Sequence, residues 1–106
     1  MIVLLLVCLS GLTTAVEAAD VRFSRVFSDN TVLQRDVPVM IRGFADPGET
    51  VTVTFATQSK EAVADQAGVW TVTLDPMAAS AEGRTLACSA GGGKSTASLK
   101  NVVVGD

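Results

Sequence analysis

No histidine and no tyrosine occurs anywhere in the 106 residues. The first absence removes Ser-His-Asp, Cys-His and His-metal chemistry before any motif is read. Cysteine is nearly missing too. Cys8 lies in the apolar N-terminal stretch and Cys88 stands alone beyond it, so no internal disulfide is available once that stretch is lost. Positive charge is also scarce. Eight Lys and Arg against eleven Asp and Glu leave a net charge of −3, too acidic to neutralise a row of phosphates, which argues against a nucleic-acid partner. Helical periodicity is lacking as well: no segment supports an amphipathic helix of more than a turn or two, and no internal repeat is visible.

What is present begins with an apolar run, Ile2 to Leu12, broken only by Ser10 and Gly11. Met1 to Val16 carries no charged side chain, and Val16-Glu17-Ala18 then offers small or apolar residues at the two positions a signal peptidase reads. Residues 1–18 therefore read as a secretory signal peptide, cut between Ala18 and Ala19, which places the mature chain outside the cell or in a periplasm. No Lys or Arg precedes the apolar run, a departure from the usual pattern. A stable membrane anchor is not expected, because a span needs about 20 apolar residues and Ser10-Gly11 and Thr13-Thr14 interrupt this one. Lipidation at Cys8 is disfavoured by the bulk of Val7 before it. Residues 19–106 are then one small domain with a modest core.

From Asp20 onward the apolar pattern has a period of two, with short Val, Thr, Phe and Ile runs separated by Gly, Pro, Asp and Asn. This predicts an all-β fold, a small antiparallel sandwich of about seven or eight strands, Ig-like or jelly-roll-like. In Thr50 to Thr57, Val51, Val53 and Phe55 share one face and Thr50, Thr52 and Thr54 the other, so one side is buried and one wet. Asp46-Pro47-Gly48-Glu49 before it has the Pro and Gly of a type II turn, fed by a strand over Pro38 to Phe44. Gln58-Ser59 reads as a turn into Lys60 to Asp65, and Asp65-Gln66-Ala67-Gly68 as a turn into Val69 to Leu74, giving consecutive antiparallel hairpins. Residues 77–83 read as a small-residue loop. Arg84 to Ala90 is a strand with Leu86 and Cys88 on one face, Gly91-Gly92-Gly93 turns the chain, and a last strand runs from near Ser95 to Val102-Val103-Val104. Val21 to Phe27 and a short piece around Val32 to Gln34 complete the set.

None of the motifs supplies chemistry. Gly91-Gly92-Gly93-Lys94-Ser95 is not a phosphate-binding loop: Cys88 stands where the pattern needs the earlier Gly, and a strand follows where it needs a helix. It reads as a hairpin tip. Asp46, Glu49, Asp65, Asp75 and Glu82 are spread over turns, with no pair at a spacing that guarantees acid-base work and no loop rich enough in oxygen ligands for calcium. No catalytic residue, metal site or cofactor is expected. Trp70 shares parity with Val72 and Leu74 and is expected in the core, not as an exposed sugar platform. Cys88 is expected to be a small buried apolar residue.

Three segments carry a resemblance. Arg25-Val26-Phe27-Ser28-Asp29-Asn30-Thr31-Val32-Leu33-Gln34-Arg35, Gly43-Phe44-Ala45-Asp46-Pro47-Gly48-Glu49-Thr50-Val51 and Leu99-Lys100-Asn101-Val102-Val103-Val104-Gly105-Asp106 resemble, in order and distance, the opening of bacterial sialate O-acetylesterases. The likeness spans residues 21 to 106, with Trp70 in a matching stretch. It departs at Thr31, where Met is usual, and at Arg42, where an aromatic is common and where a charge sits on a strand expected to be half buried. The resemblance implies an exported carbohydrate esterase of SGNH type that removes O-acetyl groups from sialic acids or related glycans. Its nucleophile would follow Gly105-Asp106, so the catalytic hydrolase domain is expected C-terminal to Asp106 and this chain by itself is expected to be inactive. The other reading is a free-standing exported sandwich that binds glycan or protein. Exposure of Trp70 and an ordered C-terminus would favour that reading; a bare apolar patch near Val102 to Val104 would favour the esterase module.

Overall fold

A computed structural model describes residues 20–106; the expected signal peptide, residues 1–18, lies outside them. Eight strands form: β1 Arg22–Phe23, β2 Val32–Gln34, β3 Val39–Phe44, β4 Thr50–Phe55, β5 Gln58–Val63, β6 Val69–Leu74, β7 Ser80–Ala90 and β8 Ser95–Gly105. A short 3-10 turn, Gly91–Gly93, joins the last two. The strands make a three-stranded sheet, β1-β3-β6, and a five-stranded sheet, β2-β8-β7-β4-β5. The inward side chains of both form one core, so the chain is an all-β sandwich.

The alternation read from the sequence is seen directly. In β4, Val51, Val53 and Phe55 are buried while Thr50 and Thr54 face solvent. In β6, Trp70, Val72 and Leu74 are buried between exposed Thr71 and Thr73. Ile41, Leu86, Val102 and Leu74 are fully enclosed. Trp70 meets Phe23 edge-on, ring centroids 5.9 Å apart at 69°, and lies against the bare Cα of Gly43, where any side chain would collide with the indole. Its Nε1 has no hydrogen-bond partner. Apolar contact alone holds this ring in place.

Two turns have the expected chemistry. Glu49 N–H donates to Asp46 O at 3.1 Å across Pro47-Gly48, and Gly48 takes φ 84° as a type II turn requires. Gly68 N–H closes on Asp65 O at 2.9 Å, while Asp65 Oδ1 accepts from Ala67 and Val69 N–H.

Five details differ from the sequence reading. The strand expected over Val21 to Phe27 is only Arg22–Phe23, and a turn follows it, closed by Phe27 N–H on Ser24 O at 3.0 Å. The first hairpin turns at Ala56-Thr57, not Gln58-Ser59: Thr57 is outside β4, Ala56 adopts φ 55°, and Gln58 pairs with Phe55. The second hairpin does not exist. β6 pairs with β3, not β5, so Asp65-Gly68 carries the chain from one sheet to the other. A turn of this kind fixes a reversal, not which sheet receives it. The stretch 77–83 is not all loop: β7 starts at Ser80 and runs on through register shifts around Arg84. Finally, the β2–β8 pair is parallel, the other pairs being antiparallel.

Arg42 does not disturb the packing. It lies on the outward side of β3, opposite Thr71, and its charge stays in solvent.

Candidate functional site

The first and third of the segments that carry the resemblance lie side by side. β2 pairs with β8 through Val32–Val103, Leu33–Val104 and Gln34–Gly105. Upstream of this ladder, Asp29 Oδ1 accepts Lys100 N–H at 2.8 Å, Asn30 N–H donates to Lys100 O at 2.9 Å, and Asn101 Nδ2 donates to Asn30 Oδ1 at 2.8 Å. Val103 N–H donates to Thr31 O, and at the far end Arg35 N–H donates to Gly105 O at 2.9 Å. The end of β8 is therefore held along its length by a segment about 70 residues earlier in the chain.

Local chemistry explains the bend that begins this clasp. Asn30 and Asn101 both adopt left-handed backbone, φ 71° and 57°, a conformation that Asn tolerates better than most residues because its short polar side chain bonds locally. Asn101 also reverses the parity of β8: Ala97 and Leu99 lean inward before it, Val102 and Val104 after it. Gly83 across on β7 has no Cβ, and one would overlap Asn101 Oδ1. Thr31, the departure from the resembling pattern, uses its hydroxyl: Oγ1 donates to Ser28 O at 2.6 Å and accepts Ser28 N–H at 2.9 Å, closing the turn into β2.

The outer side of the clasp is open. Val102 and Val104 are buried, but Val103 is only half-buried and its register partner Val32 is 53% exposed. The Val102–Val104 run is thus covered on one face and partly bare on the other.

The remaining residues singled out in the sequence take structural places. Ser95 Oγ accepts Val21 N–H at 2.8 Å, which ties the start of the domain to β8 beside an exposed Lys94. Asp75 pairs with Lys60 at 3.1 Å and Glu82 with Arg84 at 3.4 Å, while Asp65 caps its own turn. Asp46 and Glu49 flank the Pro47-Gly48 turn. The Cys88 thiol is buried, and desolvation pushes its pKa up from 9.0 to about 11 against the lowering pull of a backbone hydrogen bond at Ala97. At neutral pH it is a protonated thiol, not a nucleophile. Among the described residues no three acidic or thiol side chains converge as metal ligands would, and no cleft opens. The clasp itself was not foreseen from the residues, although a Ser-Asp-Asn run and a Lys-Asn pair flanking short Val-rich strands are the kind of signal that marks left-handed or capped backbone.

No protein-family model matches the chain, and no curated protein does. Among solved structures it is similar to a carbohydrate acetylesterase from Xanthomonas citri, with 30% identity and a TM-score of 0.74 over 81% of this chain. An engineered protein matches with 20% identity and a TM-score of 0.53 over 83% of the chain, a likeness of fold alone. The chain spans 19% of the length of the acetylesterase and 20% of that of the engineered protein. It is thus similar in sequence and fold to one part of a carbohydrate acetylesterase.

Proposed function

We propose that this chain is the non-catalytic N-terminal β-sandwich of an exported sialate O-acetylesterase-like enzyme, which removes O-acetyl groups from sialic acids or related glycans. The observation that carries the reading is the 30% identity and 0.74 TM-score to part of a carbohydrate acetylesterase. The clasp agrees with it. Asp29, Asn30 and Arg35 hold the end of β8 in one direction, which would fix the exit path of a following hydrolase domain, and that domain would cover the open Val32–Val103 face. Burying such apolar surface contributes about 25 cal/mol per Å².

In this reading the sandwich orients its neighbour and the neighbour supplies nucleophile and base. Ser95, beside the exposed Lys94, accepts Val21 N–H through its Oγ at 2.8 Å, a structural place. The test is acetate release from O-acetylated sialic acid by the full product of the gene, compared with the 106-residue chain. Release by the longer product alone is expected. No release from any acetylated glycan by the longer product would overturn the reading. The ordered end of β8 is also what a free-standing module would show, but the buried Trp70 removes the aromatic platform on which that alternative was to rest.

A further inference from the structure

One flank of the sandwich carries two strand edges. β5 ends the five-stranded sheet and β6 ends the three-stranded one, and the two strands lie beside each other in opposite sheets. Near the Asp65-Gly68 turn, backbone bonds hold this flank shut. Ala64 N–H donates to Glu49 O at 2.9 Å, Gly48 N–H to Ala64 O at 2.9 Å and Ala45 N–H to Gly68 O at 2.8 Å. At the other end side chains take over. The Gln58 amide engages both backbone groups of Asp75, the residue after β6: Oε1 accepts Asp75 N–H at 2.7 Å and Nε2 donates to Asp75 O at 3.2 Å. This is the pair of bonds that a residue of a neighbouring antiparallel strand would make. Lys60 Nζ adds a bond to Asp75 Oδ1 at 3.1 Å.

Gln58 and Lys60 occupy the inward side of β5, where the period of two would place apolar residues. Gln58 stands opposite Phe55 and Lys60 opposite Val53, both of them buried. An inward-pointing charge on an edge strand keeps that edge from pairing with another chain, because a strand added beside β5 would cover the ammonium group and strip its water. The charges also oppose a second copy directly. Two edges related by a two-fold axis normal to the sheet pair antiparallel, and one residue of the strand then faces itself in the other copy. For the six residues of Gln58–Val63, the registers that keep most pairs centre on Lys60 or on Glu61. Each sets like charges directly opposite, which is destabilising. β6, Val69–Leu74, has no charge of its own, and the Lys60–Asp75 pair lies at its end.

We propose that Gln58 and Lys60 form a latch that closes this flank and keeps the β5 edge from pairing with the β5 edge of a second copy. Gln58 fastens the β4–β5 hairpin to the end of β6, and Lys60 supplies the repulsion. The proposal goes beyond the esterase reading. It is tested on this domain alone, so its failure leaves that reading standing.

The experiment is sedimentation equilibrium of the mature chain and of its Gln58→Thr, Lys60→Thr double variant, with hydrogen exchange followed residue by residue. Threonine suits a strand and removes both the amide and the charge. The double variant is expected to dimerise at least about tenfold more tightly than the native chain, and its β5 amides should gain protection as the dimer fills. In the monomeric variant Asp75 N–H should exchange at least about tenfold faster. An unchanged Trp70 emission spectrum shows that the sandwich is folded. Should the double variant lose that spectrum, Lys60→Thr alone, which leaves both Gln58 bonds in place, is held to the same association criterion. Equal association of native and variant chains would overturn the proposal, as would dimers whose β5 amides stay unprotected.

Discussion

Asn101 donates its side-chain amide to Asn30 Oδ1 at 2.8 Å, and both residues hold left-handed backbone. The bond joins a loop before β2 to the bend in β8, so it couples backbone conformation at two places to the pairing of distant strands. Replacing Asn101 by Ala removes the bond and leaves a Cβ residue in a region that costs about 1–2 kcal/mol for ordinary L-residues. We expect Asn101→Ala to lower stability by about 1–2 kcal/mol and Asn101→Gly by less, since glycine accepts the conformation. Urea unfolding of both variants checks the order. Equal losses would show that the hydrogen bond matters and the backbone does not.

Gly83→Ala should report on the same place from the opposite strand. Its new Cβ would overlap Asn101 Oδ1, an end of a side chain that can move only by giving up its bond to Asn30. The expected cost is about 1–3 kcal/mol, typical of overpacking. In an Asn101→Gly background the cost should shrink, which a double-mutant cycle measures.

Trp70→Ala should cost about 3–5 kcal/mol, as large aromatic deletions in cores do. A domain of this size holds only about 5–15 kcal/mol in total, so the variant is expected to be largely unfolded or close to it. In the native chain, acrylamide should quench Trp70 emission far less than it quenches free indole. Quenching as efficient as that of free indole would contradict the 1% exposure of this residue.

The strands were legible because one-sided burial writes a period of two into the sequence: Val51, Val53 and Phe55, then Trp70, Val72 and Leu74. Turn chemistry at Pro47-Gly48 and at Asp65-Gly68 was legible for the same local reason. Pairing was not. Whether β6 returns beside β5 or crosses to β3 depends on how two sheets share a core, and the turn between them looks alike in both cases. Ala56 at φ 55° gives no compositional signal at all. The Ser80–Gly83 stretch has loop composition yet pairs as a bulged strand, because Gly83 leaves room for Asn101.

Cys88 gives a pH signature. Its pKa in the folded chain is about 11, above the ordinary 9.0, because burial disfavours the thiolate. The folded state therefore holds the proton more tightly than the unfolded state. The associated stability is complete below pH 9 and is lost as pH rises towards 11. Thermal melts of the native chain and of Cys88→Ala should diverge in slope over that interval, the native chain falling more steeply. Parallel slopes would show that the thiol ionises as freely folded as unfolded.

The N-terminal expectation has its own assay. Exported protein should begin at Ala19, as read by N-terminal sequencing. A mature chain that still starts at Met1 would remove the signal-peptide reading and with it the exported location.

The claim that this sandwich serves a carbohydrate esterase is tested most directly by reading the gene onward from the codon for Asp106. The account predicts that the frame stays open and within a few dozen codons reaches a segment with a Gly-Gln-Ser-like nucleophile, followed by a hydrolase domain that carries a histidine. A stop codon at that point, with no such segment in any of the three frames downstream, would contradict it.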